Sequence, residues 1–294
     1  MSPSAPPFAV CEFTTLNASF EDDLAAYRSA GATGIGICEI KLEEGREDEQ
    51  LEALRASGLQ AASAVPAVPS VLPLPLFPGP EAPEERVEAL CGSVRRLAPF
   101  EPSALVCLTG PAGALDEEDA RRLVVDGLRA VADEAERAGF PVGLEPMSAR
   151  FREDWTIVTT LEEAAELCDE TGHGNVGILF DTWHLWDTPD LLGAIERHGH
   201  RIVGVHVNDW REETRGWCDR VLPGDGVADL PAVLGALADA AWRGAYELEV
   251  FSDDGTFGSE YPDSLWKEDA GDLARRGHDA FRQLWDQAAV QMKT

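Results

Sequence analysis

Four short apolar runs in the second half of the chain each lead into a side chain that can bind a cation or carry a proton. PVGLEPM presents Glu145, VGILFDTWH presents Asp181 and then His184, RIVGVHVND presents His206, and AYELEVF presents Glu247 and Glu249. Taken singly, an acidic residue after a strand is more often a helix cap, and a lone histidine a hydrogen-bonded core residue. Such residues at the same end of successive runs point instead to a shared site. Buried together, three carboxylates and an imidazole would raise one another's pKa values and lose hydration. One divalent cation removes both difficulties. An oxygen-rich set with one nitrogen suits Mn²⁺ best, with Mg²⁺, Co²⁺ and Zn²⁺ also compatible. Residues two apart on a strand face the same side, so Glu247 competes with Glu249 for the last place. Glu249 lies nearer the C-terminal end and is the expected ligand. Glu247 reads as a barrel-layer residue or an arginine partner.

These groups can meet only if the runs are neighbouring strands with their ends together. Short β-rich runs recur along the whole chain, at Phe8–Phe13, Gly34–Ile40, Leu59–Val65, Ala104–Leu108, Pro141–Leu144, Val176–Phe180, Arg201–Val207 and Tyr246–Phe251. They are short and almost wholly apolar, as parallel strands buried on both faces must be. Between them, segments such as Ser19–Ala30, Asp48–Ser57, Pro83–Leu97 and Asp116–Ala138 carry helical periodicity. Gly31, Gly58, Gly139, Gly172 and Gly244 follow as stops. The alternation predicts an α/β fold, a (β/α)₈ TIM barrel in one domain over residues 1–294. Such barrels place their chemistry at the C-terminal ends of the strands. The stretch 65–83 carries proline at 66, 69, 73, 75, 78, 80 and 83 and reads as a stiff surface loop. Following the third strand, it either walls a pocket or merely connects.

Charge limits the partners. The chain has 24 basic and 54 acidic residues, a net charge of −30. A surface this acidic repels nucleic acid and anionic membrane, because phosphate binding depends on clustered Lys and Arg. The hydrophobic share of 44% supports one large core. Six scattered cysteines lack metal-binding spacing and read as small buried hydrophobes. No run approaches the ~20 apolar residues of a membrane span, and the N-terminus MSPSAPPFAV lacks the features of a secretory leader. A soluble cytoplasmic protein is the expectation.

The order LEPM, FDTWH, HVND, DRVLPGDG and RGAYELEVF resembles the xylose-isomerase-like TIM-barrel superfamily. That superfamily includes sugar isomerases and epimerases, inosose isomerases and dehydratases, and endonuclease IV. The likeness runs along nearly the whole chain. It implies Glu145, Asp181, His206 and Glu249 as ligands of one metal, and His184 as a substrate contact. The endonuclease branch needs a histidine directly after Asp219–Arg220 and two more in the first half. Here Val221 follows Arg220, and no histidine precedes His173. With the acidic charge, this disfavours DNA repair.

The remaining branch implies proton abstraction beside a carbonyl, giving an enediolate. Glu145 and Glu249 are the expected proton shuttles on opposite faces of a small carbohydrate or cyclitol. The expected outcome is isomerisation or epimerisation. The alternative is a lyase on the same scaffold, either an inosose-type dehydratase or a β-eliminase of a 3-keto-glycoside. A non-catalytic sugar-binding or partner subunit is a third reading. His184 either contacts substrate or orients Asp181. Arg220 is the expected substrate-binding arginine, whereas Arg211 and Arg215 read as salt-bridged, and PGDG as a turn. Trp155, Trp183, Trp186, Trp210 and Trp217 cluster after three of these strands. They hint at a bulky or weakly polar substrate, with core packing or a homo-oligomer contact as the alternative. Trp183, between Asp181 and His184, is the expected pocket residue.

Overall fold

Eight parallel strands pair side by side until the last meets the first, closing a barrel in the computed structural model, which describes residues 6–291. The strands are β1 (Phe8–Cys11), β2 (Gly34–Cys38), β3 (Gln60–Val65), β4 (Ala104–Cys107), β5 (Val142–Leu144), β6 (Val176–Asp181), β7 (Ile202–Val207) and β8 (Tyr246–Leu248). Each is buried along nearly its whole length, which explains the unbroken apolar runs. The TIM-barrel expectation is met. Residues 1–5, the first half of the stretch MSPSAPPFAV expected not to be a secretory leader, and 292–294 lie outside the described residues. Among the described residues, no helix is long and apolar enough to cross a membrane.

Helices follow the strands and cover the barrel. The helix Glu117–Ala138 illustrates why they form where they do. Asp116 accepts a hydrogen bond from the Asp119 N–H, three acidic residues occupy the first turn, and Gly139 ends the helix at φ 93°. Two apolar clusters result. The larger joins the strands' outer faces to the helices, for example Ile35, Leu90, Leu105, Val131 and Phe281. The smaller sits at the C-terminal mouth and includes Phe13, Trp155, Trp183, Trp210 and Phe251.

The proline-rich stretch is a surface loop only in its later part, where Pro75, Pro78, Gly79 and Glu81 are exposed; its earlier part is largely buried. Ser70, Val71, Leu72 and Leu74 are buried, and the segment runs beside the continuation of β4. The Val71 and Leu72 N–H groups donate to Leu108 and Thr109 carbonyls, and Leu108 N–H donates to the Pro69 carbonyl. Donors survive between the prolines, and they find a strand-end partner. Arg86 fastens the loop from behind, donating from Nε and Nη2 to Ser70 and from Nη1 to the Pro80 carbonyl.

Candidate metal centre

The ligand atoms of Glu145, Asp181, His206 and Glu249 all lie within 4.8 Å of one another, and all four residues are buried. Barrel register brings them there. Asp181 pairs directly with His206, and His206 with Glu247, so Glu249 rises one pleat above on the same face. Glu145 follows β5 immediately, its N–H donating to the Cys107 carbonyl.

Each carboxylate is steered by neighbouring strand ends. Asp181 Oδ1 accepts from the Trp183 N–H at 2.7 Å and from Asn208 Nδ2 at 2.9 Å. Asn208 Nδ2 also donates to the Glu249 carbonyl at 2.9 Å, and its Oδ1 accepts from Thr182 Oγ1 at 3.0 Å. One amide thereby ties three strand ends together. Arg220 Nη1 bridges Asp181 Oδ2 at 2.9 Å and Glu249 Oε2 at 3.0 Å. Its guanidinium lies over the Trp183 and Phe251 rings, 4.8 and 4.6 Å from their centroids.

His206 is oriented by a relay reaching across the barrel. Its Nε2 lies 3.2 Å from Ser63 Oγ, and that hydroxyl donates to Glu247 Oε1 at 2.8 Å. The Ser63 N–H donates to Glu247 Oε2 at 2.9 Å. With its proton committed to Glu247, the hydroxyl accepts from Nε2–H, which leaves Nδ1 for the site. Nδ1 is buried without a hydrogen-bond partner, 3.4 Å from Glu249 Oε2 and 3.9 Å from Glu145 Oε1. Gly36 makes room for the relay. A Cβ there would stand 1.6 Å from Glu247 Oε1. The register between β2 and β3 shifts beside it, between Ile35 and Ile37.

The residues present fit a divalent cation. Three buried acids face one guanidinium, and His206 Nδ1, turned toward them, has no hydrogen-bond partner. Burial and then the Asp181 charge push the Glu145 carboxyl well above the usual range. Burial opposes a charged His206, yet Glu249 and Glu247 outweigh it and push the imidazole up to about 10. Burial likewise opposes ionised Glu249, but His206 and Arg220 hold it down at about 2. The field that draws a proton to His206 would draw a divalent cation to the same place.

His184 sits at the edge of this group. Its Nδ1 accepts from the Ser148 N–H at 3.1 Å, so the neutral ring carries its proton on Nε2. Nε2 lies 4.0 Å from Glu145 Oε1 and 3.9 Å from Asp181 Oδ2. Burial holds the ring down at about 4, against the pull of Asp181. It is thus a neutral donor aimed into the site.

A cavity opens above these groups, with Glu145, His184, Arg220, Glu249, Trp155 and Trp217 among its lining residues. Trp183 is not among them. It is fully buried behind Arg220 and packs at a tilt against Trp210, ring centroids 4.6 Å apart. It occupies the first turn of the short helix Thr182–Leu185, which Asp181 caps, so Asp181 and His184 share a face that Trp183 leaves. Arg211 and Arg215 are salt-bridged to Asp219 and Asp263, as expected. PGDG is a turn held by Asp209, whose carboxylate accepts from the N–H groups of Gly224, Gly226 and Ala228. The proline-rich loop does wall the cavity, through Pro69, Leu76 and Phe77. All six cysteines are buried and free.

Sequence reasoning missed Ser63, Gly36 and Asn208. The available signals were slight: Ser63 is the one hydroxyl in the buried run AASAV, and Asn208 follows His206 at the same-face spacing of two.

Comparison with known proteins fixes the family. The model of the xylose isomerase-like TIM barrel family matches residues 24–284, and the chain belongs to that family. It is 29% identical to a D-psicose 3-epimerase of Enterocloster bolteae over 166 residues, covering 56% of this chain and 51% of that protein. It is 31% identical to an inosose dehydratase of Geobacillus thermodenitrificans over 146 residues, covering 45% of this chain and 47% of that one. The chain spans about half the length of the curated relatives it matches. A crystal structure of a Sinorhizobium meliloti protein superposes with a TM-score of 0.83 at 27% identity, covering 94% of this chain and 98% of that one.

Proposed function

We propose that this member of the xylose isomerase-like family is a divalent-metal-dependent isomerase or epimerase of a sugar, keto-sugar or cyclitol. The observation that carries this reading is the set Glu145, Asp181, His206 and Glu249, gathered within 4.8 Å around the unpartnered His206 Nδ1. These four residues would hold the cation, with Mn²⁺ the metal best suited to three oxygens and one nitrogen. When bound, the cation polarises the substrate carbonyl and acidifies the neighbouring C–H.

The chain's own groups do the rest. Glu145 and Glu249 stand on different strands, so their carboxylates can reach opposite faces of one carbon. One removes the proton and the other returns it, through an enediolate. His184 Nε2–H donates to a substrate oxygen and stabilises the charge that grows there. Asp181 and His206 hold position. Arg220, locked against Asp181 and Glu249, keeps both carboxylates aimed.

A second reading has specific support. The relatives include dehydratases as well as epimerases and isomerases, and one proton abstraction beside a carbonyl can open either course. A lyase would expel a hydroxyl or an aglycone β to the carbonyl instead of returning the proton. The test is incubation of the Mn²⁺-loaded protein in D₂O with ketoses, inososes and 3-keto-glycosides. Deuterium in recovered substrate or its isomer supports the first reading, and loss of water or aglycone supports the second. No exchange and no elimination across the panel would sink both.

A further inference from the structure

The cavity above the metal centre is unevenly built. Glu145, His184, Arg220 and Glu249 lie together at its floor, and apart from the indole N–H groups of Trp155 and Trp217 every other lining side chain is apolar. Aromatic rings form much of the wall: Phe13 packs 4.7 Å from Phe251 and 6.2 Å from Phe77, and Trp217 lies 5.8 Å from both Phe251 and Trp155.

The wall's backbone is also committed. Phe13 and Phe251 carbonyls accept from Trp266 Nε1 at 2.8 Å and the Arg220 N–H at 2.9 Å. Pro69 and Leu108 carbonyls accept from Leu108 and Val71 N–H groups. Phe77 and Met147 N–H groups donate to Leu74 and Val158 carbonyls. A polyol with a hydroxyl on every carbon would press several of them against carbon, where their bonds to water are lost and not replaced. Flat apolar groups suit this wall, since aromatic rings bury large area against them at little entropic cost.

We infer that the substrate is a hydroxyketone whose reactive end resembles a keto-sugar or cyclitol and whose far side bears an aryl group. The inference rests on the proton-transfer reading for what happens at the floor, and on the wall for what lies beyond it. The polar floor engages the carbonyl and its neighbouring hydroxyl. The aryl group seats among Phe13, Phe77, Trp155, Trp217 and Phe251.

Calorimetric titration of the Mn²⁺-loaded protein with 2-hydroxyacetophenone, hydroxyacetone and D-fructose tests this. The first two share one hydroxyketone and differ in the aryl group, and the third is a polyol. The aryl compound is expected to bind at least about tenfold tighter than either. Phe77→Ala and Trp217→Ala are each expected to shrink that ratio several-fold. D-fructose binding as tightly as the aryl compound, no binding of the aryl compound, or an undiminished ratio in both variants would each overturn the inference. Solvent deuterium exchange reports separately on the chemistry. Exchange into D-fructose with no aryl preference in binding removes the inference and leaves the proton-transfer reading. Aryl preference without exchange into any ligand does the reverse.

Discussion

The two halves of the barrel reach the same mouth but contribute different things to it. Strands β5–β8 end in Glu145, Asp181, His206 and Glu249, side chains that face one point. Strands β1 and β2 run into Glu12 and Glu39, buried carboxylates that accept hydrogen bonds from Cys38, Ala67 and Ser93 and stay outside the four-residue set, so the first half's contribution to the centre is support. Cys11 Sγ lies 3.7 Å from Glu249 Oε1, Ser63 orients His206 and Glu247, and Gly36 leaves the space that Glu247 fills. Val65, Val106 and Leu108 add apolar wall. A closed barrel permits this division, because residues distant in sequence become neighbours across its interior. The charge that faces the cation is concentrated on one arc, and the other arc keeps those groups aimed.

The division can be broken from either side. The largest effect is expected in the second half: Glu145→Gln or Glu249→Gln should lower the solvent-exchange rate on an accepted substrate by about 10²–10⁴-fold, the range for a lost acid or base. Full activity in either variant would remove that glutamate from proton transfer. Next comes the first half. Gly36→Ala must displace Glu247, and Ser63→Ala removes the His206 partner, so both should weaken metal affinity by about 10–100-fold. Competition against a chromophoric chelator reads this, and wild-type affinity in both variants would reduce the first half to packing. A smaller effect is expected behind the loop. Arg86→Met leaves the carbonyl groups of Ser70 and Pro80 without their donors and should cost about 1–3 kcal/mol in urea unfolding. Its metal affinity should stay near wild type, which separates wall from centre. Smallest is the solvent-screened pair Arg137–Glu134, where Arg137→Ala should leave the urea unfolding midpoint at the wild-type value.

The same division governs what could be read before the fold was known. Glu145, Asp181 and His206 were legible because an ionisable residue directly after an apolar run is costly to bury without purpose. Strand alternation could not separate Glu247 from Glu249, since both face inward; only depth distinguishes the relay carboxylate from the one in the four-residue set. Trp183 was placed by adjacency to Asp181 and His184, but a helix starts at Thr182 and turns it away behind Arg220. Gly36 carries no signal of its own and Ser63 only its lone hydroxyl, because a small residue in a buried strand looks much the same whether it fills space or leaves it. The earlier part of the proline-rich loop misled for a related reason. Proline count predicts stiffness, whereas burial depends on whether the remaining N–H groups meet a strand.

The central claim is that four residues from the second half hold one divalent cation, and metal stoichiometry tests it most directly. Protein stripped with chelator and dialysed against Mn²⁺ should bind one equivalent per chain, and Asp181→Asn combined with His206→Gln should abolish that binding while the fold persists by circular dichroism. Undiminished Mn²⁺ binding in the folded double variant, or no binding in the wild-type protein, would contradict the account.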